Sequence, residues 1–467
     1  MNKALKIMLA ASIAMLITTT AEATSRTKPA TKQAKKDWTV AVFLNADNNL
    51  DYYGKKDEEE MAKVGSNDFM NVVTLIDRES GPAQIDYIEK GNIKKIKDMG
   101  EIDMGDYKEF VKFAKFVKEN YPAKHYSFTF WNHGSGWKNK PEKAVVRGVS
   151  YDETSGNHIT TNQLTTALKE TAQILGQKID VLNFDACLMQ MAEVCYACKD
   201  YANIMVASEE TEPGKGAPYD EILKDVKKGM RPEDFADNWV GSFLISYSED
   251  GSQDYQAATQ SAVDLRKFNV LTDAIDGFAK AVIAGKHSDI VRRAGAWAQH
   301  YAEYDNIDLI SLLDSMKDYL RDSTDAGLKT AMDKLRAAMK DVIIAQGYTV
   351  DSLDKSNGIA IYLPQNGGSV PGKYRELAFA KETMWCAMLD ELAKRAIIDE
   401  VLKDVKEGKT QSLKKAVTAA KKQPKNAVYR SLLSEVNFAY ASENSVPADK
   451  KQEVKKLLEE LQQTIKR

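Results

Sequence analysis

Five stretches of the chain drop their polar positions almost completely for about the length of one strand. They are WTVAVFLNAD (38–47), NVVTLID (71–77), HYSFTFW (125–131), KIDVLNFD (178–185) and ANIMVAS (202–208). Short apolar runs closed by polar residues are what strands buried on both faces look like. Between the second and third runs the period changes. In GDYKEFVKFAKFVKENYP (105–122), Tyr107, Phe110, Val111, Ala114 and Val117 fall on one helical face. Asp106 and Glu109 stand where a capping box would start this helix, and Pro122 marks its stop. Strands alternating with helices predict an α/β fold, a mostly parallel sheet sandwiched between helices. Past residue 220 the pattern is mainly helical, with QDYQAATQSAVDL (253–265) and NGIAIYLP (357–364) as further strands. From 396 to 467 the chain is rich in Lys and Glu and predicts an appended helical region. The acidic run DEEEMAK (57–63) reads as a solvated helix face.

The first residues have another character. Lys3 and Lys6 precede the apolar run IMLAASIAMLI (7–17), and AEA (21–23) supplies a small-x-small cleavage pattern. This predicts a signal peptide over 1–23, cut after Ala23, and a polar lead-in over 24–37. The product would be secreted or periplasmic. The apolar run is short for a bilayer, no cysteine near the cut suggests a lipid anchor, and no later segment predicts a membrane span. A formal net charge of −3 gives no basic field for nucleic acid. Four cysteines in an exported chain of 467 residues are too few for a disulfide scaffold.

Sheets of this kind carry their sites at the carboxyl ends of strands. Two rare residue types fall there. His133 follows the third strand in WNHGSGW, and Cys187 follows the fourth in DACLM. The turn at Asp185–Ala186 predicts Cys187 at the start of a helix, where the dipole would favour the thiolate. His133 would then serve as acid and base. The backbone N–H groups of Gly134 and Cys187 would face a developing oxyanion. The blander alternatives are a buried small thiol, a turn histidine, and Asp185 as a helix N-cap. Ser135 lacks the strand–turn–helix setting of a serine nucleophile. Cys195 and Cys198 form a CxxC, but they share a helical face with Leu188 and Met191, which predicts core packing rather than redox chemistry; no further ligands are spaced for zinc.

WNHGSGW and DACLM resemble the two catalytic boxes of the clostripain family of cysteine peptidases. FLNADNNLD (43–51) and SEETEPGKGAPY (208–219) are also similar to that family. The likeness spans about residues 38 to 395, the expected peptidase domain, and implies a caspase-like fold. It implies His133 as general acid/base, Cys187 as nucleophile, and Asp185, two residues before it, as a selector of basic P1 side chains. A carboxylate there would favour Arg or Lys. Partners would be protein or peptide substrates. The resemblance also implies maturation by self-cleavage within the basic loop 138–156, with both chains staying associated; the cut is expected after Arg147, where Gly148 would give an open, flexible P1′ side, or else after Lys143. No cofactor is required by the residues. Clostripain itself needs calcium, which leaves Ca2+ open, although no EF-hand-like loop is present. The competing expectation is a catalytically silent caspase-like binding or adhesion module.

Overall fold

The computed structural model describes residues 35–139, 147–321, 323–365, 370–441 and 446–466. The expected leader and most of the lead-in lie outside the described residues, as does Lys143. In chain order the strands are β1 (Lys36–Ala46), β2 (Met70–Arg78), β3 (Gly81–Glu89), β4 (Asn92–Gly100) and β5 (Ala123–Trp131). Then come β6 (Gly134–Asn139), β7 (Arg147–Asp152), β8 (Asn157–Ile159), β9 (Ile179–Asp185) and β10 (Ala202–Ala207). The last are β11 (Thr259–Asp264), β12 (Asn306–Asp308), β13 (Ile343–Tyr348) and β14 (Ala360–Tyr362).

Nine of these strands make one sheet in the order β13-β11-β10-β9-β5-β1-β2-β3-β4. The five predicted strands are its contiguous parallel centre, β10-β9-β5-β1-β2. Antiparallel strands close both flanks. β3, β4 and β13 were absent from the pattern, and for β4 the cause is physical. Most of β4 is exposed on both faces, so it carries no apolar signal. The two late strands form but are shorter than the apolar runs, at Thr259–Asp264 and Ala360–Tyr362.

Along β1, Ala41 and Phe43 enter one core while Trp38, Val40, Val42, Leu44 and Ala46 enter the other. That division is why the run has almost no polar positions. Helix α1 (Asp51–Val64) packs on the second face. Helix α2 (Tyr107–Asn120) packs on the first through Phe110, Phe113, Ala114 and Val117, beside α3 (Thr161–Leu175). Asp106 caps α2 by accepting the Lys108 N–H at 3.1 Å. Glu109 instead pairs with Lys112, so the reciprocal capping-box bond is not made.

Two expectations need correction. Asp57 and Glu58 of the acidic run are buried, on the inner face of α1. The segment 138–156 is not all loop: β6 reaches into it as far as Asn139 and it contains β7 (Arg147–Asp152), which joins β6 and β8 in a small separate sheet. The C-terminal helices are present as expected, and they enclose a third apolar core of their own, including Val401, Val417, Leu432 and Leu458.

Candidate active site

Register brings the two candidate residues to one place. β5 and β9 run parallel with Trp131 opposite Asp185, and the Asn132 N–H donates to the Asp185 carbonyl at 3.2 Å. His133 and Cys187 each lie two residues beyond that matched pair. Their segments are in backbone contact: a Cβ on Gly134 would sit 2.3 Å from the Cys187 carbonyl oxygen and 3.1 Å from its nitrogen. Only glycine permits this approach. Gly136, at φ +61°, is also packed closely: a Cβ there would sit 2.4 Å from the Met191 sulfur and 2.9 Å from the Leu188 carbonyl oxygen.

The setting of Cys187 differs from the expectation. The next helix, α4, spans Ala192–Cys198, so Cys187 sits in the irregular segment between Asp185 and that helix, not at a helix N-terminus. No dipole supports a thiolate there. The Asp185 N-cap alternative falls for the same reason. Burial, followed by the nearby Glu212 carboxyl, pushes the Cys187 thiol up to about 11. The Glu212 N–H points at the sulfur from 3.3 Å and opposes that shift without cancelling it. Burial also lowers the pKa of His133, which favours the neutral ring. Its Nε2 lies 2.7 Å from Oδ1 of Asn49, in the turn between β1 and α1. Asn49 lies in FLNADNNLD, one of the stretches similar to the clostripain family, and nothing in its sequence pattern marks it as a partner of His133.

Asp185 ends β9 and is buried. Its carboxyl accepts from the Ala217 N–H at 3.2 Å and from the Tyr219 hydroxyl at 2.8 Å. Gly216 covers it so closely that a Cβ there would come within 2.9 Å of Oδ1. Burial raises the Asp185 pKa, and a hydrogen bond with Glu212 ties the two carboxyls together. Asp57 and Glu60 of α1 feel the Asp185 charge as well. Asp57 accepts from Trp131 Nε1 at 2.6 Å, beside the β5 end that leads into His133. The four carboxyls thus come from α1, the end of β9 and the loop after β10. Their polar residue types alone could not distinguish this cluster from a solvated face.

Cys195 and Cys198 are fully buried in α4, as the helical stripe predicted, and burial raises both thiols. Ser135 lies within β6, accepting the Gly148 N–H at 2.8 Å. Gly148, first residue after Arg147, is therefore not an open position: at φ +86° it packs where a Cβ would meet the Ile159 carbonyl oxygen at 2.2 Å. Among the described residues no set of three or more His, Cys, Asp or Glu could hold a metal ion. No helix among them is long and apolar enough to cross a membrane.

A parallel-centred sheet between helices, with a histidine and a cysteine at adjacent strand ends, defines a caspase-like cysteine peptidase. Comparison with known proteins narrows this class. The clostripain family model matches residues 42–392, and the chain belongs to that family. It is similar to clostripain of Hathewaya histolytica, with 24% identity over 78% of this chain and 82% of that one. Two solved structures share the fold. One is a secreted C11 cysteine protease from Bacteroides thetaiotaomicron bound to an irreversible peptide inhibitor (20% identity, TM-score 0.59, 76% of this chain and 99% of that one). The other is an inactive zymogen C11 protease from Parabacteroides distasonis (19% identity, TM-score 0.58, 75% and 99%). The protein is a cysteine endopeptidase of this family, so the silent-module expectation is set aside.

Proposed function

We propose that the chain is an exported endopeptidase cutting after Arg, and also after Lys, through Cys187 and His133. The observation that carries this is the backbone contact between Gly134 and Cys187 at matched strand ends. His133 takes the Sγ proton as the sulfur attacks the scissile carbonyl carbon. The Gly134 and Cys187 N–H groups receive the oxyanion. The carbon–nitrogen bond then breaks, and His133 returns its proton to the departing amine. Water activated by the neutral imidazole hydrolyses the thioester and restores the thiol.

Asp185 is the P1 selector in this reading, supported by the Glu212, Asp57 and Glu60 carboxyls around it. A guanidinium entering among them would exchange its charge for their protons. In this reading the intact chain is a latent form, with a thiol that burial keeps protonated until His133 takes its proton. Self-cleavage after Arg147 or Lys143 would activate it, and the two pieces would stay associated. The Arg147 cut requires the start of β7 to leave β6, since Gly148 is bonded there. The relative solved as a zymogen supports a latent stage, and the relative described as secreted supports export.

The test pairs fluorogenic peptides bearing Arg, Lys or Asp at P1 with the protein, with and without a thiol alkylator. Alkylator-sensitive cleavage of Arg and Lys peptides is expected, together with a Cys187→Ala chain that remains unsplit. Cleavage that persists in Cys187→Ala would reject the assignment.

A further inference from the structure

We propose that Asn49 is a positioning residue that holds the His133 ring and makes Nδ1 the nitrogen that exchanges a proton with Cys187. The inference rests on the Cys187–His133 reading. It starts from one contact, Asn49 Oδ1 at 2.7 Å from His133 Nε2. A carbonyl oxygen only accepts, so Nε2 carries the hydrogen in both the neutral and the charged ring. Nδ1 is then the site that gains and loses the proton.

The scaffold shows that this contact is built rather than incidental. The Asn48 carboxamide donates to the Tyr151 carbonyl at 2.8 Å, and its own oxygen accepts the Leu50 N–H at 2.9 Å. The Asn132 carboxamide donates to the same Tyr151 carbonyl at 3.0 Å and to the Asn45 carbonyl at 2.6 Å; its oxygen accepts the Tyr151 N–H at 2.8 Å. Thus the residue before Asn49 and the residue before His133 grip one carbonyl of β7. Asn45, Asn48 and Asn132 are buried, and they carry the architecture. Asn49 itself is exposed, so its side chain is free of that structural duty. The bond also strengthens as the ring becomes charged, because N–H donors on a cation bind oxygen more tightly. Support therefore increases when His133 holds the thiol proton.

Two measurements test this. In the Cys187→Ala chain with 15N-labelled histidine, His133 is expected as the Nε2–H form above its pKa. Asn49→Ala should give a tautomer mixture, and Asn49→Asp should raise the His133 pKa by about one unit, through a carboxylate beside the ring. In the active protein, Asn49→Ala should lower kcat about 10- to 100-fold with KM nearly unchanged. Asn49→Asp should move the acid limb of the pH profile upward. An unaltered tautomer, pKa and kcat in both variants would overturn the role of Asn49 while leaving the dyad intact. A loss of rate matched by a lowered melting temperature in both variants would make Asn49 structural and overturn it too. Wild-type activity in His133→Ala would instead sink the dyad reading, and this inference with it.

Discussion

At the scale of single residues, the two reacting groups sit in environments that oppose their charged forms. Burial holds the Cys187 thiol up near 11 and lowers the His133 ring. At pH 7 both are therefore neutral in the intact chain, and the thiol is not pre-ionised. Alkylation of Cys187 by iodoacetamide in a chain kept unsplit by Lys143→Ala and Arg147→Ala, with His133 in place, followed by peptide mass spectrometry, should be slow at pH 7 and keep rising above pH 9. A fast, flat rate from pH 6 would show an ion pair and reject the latent-thiol account. Asp185 offers a second test. Asp185→Asn leaves an acceptor for Ala217 and Tyr219 but removes the charge a P1 cation would meet. Its loss should reduce kcat/KM for Arg peptides by about 100-fold or more, the usual effect of removing one side of a buried charge pair. An Arg-to-norleucine preference unchanged in the variant would assign specificity elsewhere. Rare residue types at strand ends made His133 and Cys187 candidates, whereas Asp185 came from the family resemblance; the structure places all three at the ends of β5 and β9. The sequence pattern misplaced Cys187 on a helix because the segment Ala186–Met191 contains no Pro or Gly to signal irregular backbone. Leu188, at φ +64°, takes a conformation that its residue type does not advertise.

At the scale of elements, the buried strands were legible and the solvent-facing ones were not. β1, β2, β5, β9 and β10 are surrounded by helices, and burial on both faces writes itself into every position. β4 is mostly exposed, β3 interleaves buried Ala83, Ile85, Asp86 and Ile88 with half-exposed positions, and the small β6–β7–β8 sheet is mixed in polarity, so none of them produced a clear period. The C-terminal helices were legible as helices, but not as a separate core. The 22-residue helix Trp385–Lys406 joins the two: Trp385, Met388, Leu389 and Leu392 pack into the peptidase core, whereas Ile398, Val401 and Val405 pack into the terminal one. Arg395 reaches across its own turn to Asp399 and out to Glu435 at 2.8 Å, while Asp399 also meets Arg292. Local stability should therefore be divisible. Leu432→Ala removes a fully buried side chain from the terminal core and should cost about 2–5 kcal/mol there. Hydrogen exchange of residues 411–465 should accelerate, with peptide cleavage unchanged. A parallel loss of protection in β5 and β9 would show that the two cores unfold as one.

At the scale of the whole molecule, the described part of the fold encloses several carboxyls whose protonation is governed mainly by burial. Burial raises Glu58 and Asp77 to about 8, Glu60 and Glu193 to about 7, and Asp308 to about 6. An acid with a higher pKa folded than unfolded binds its proton more tightly in the fold. Its stabilising contribution is full below the unfolded value and is lost as pH rises through the folded one. Global stability should thus decline between about pH 5 and 8, before any alkaline effect of thiols or phenols. Glu193 isolates one share of that slope. Its oxygen accepts the Tyr362 N–H at 3.0 Å and the Tyr374 hydroxyl at 2.9 Å, tying α4 to β14 and to the turn at Tyr374. Glu193→Gln keeps an oxygen acceptor for both bonds and never ionises. Its shift from 4.5 to about 7 bounds the proton-linked contribution at on the order of 1–3 kcal/mol. Denaturant unfolding at pH 5 and pH 8 should therefore show a smaller difference in Glu193→Gln than in the parent chain. The curves should converge at pH 5, where the parent carboxyl is protonated, and separate at pH 8 in favour of the variant. A variant that is less stable at both values with an undiminished slope would mean that Glu193 is ionised and satisfied in the fold, and that the pH dependence arises from the other buried acids.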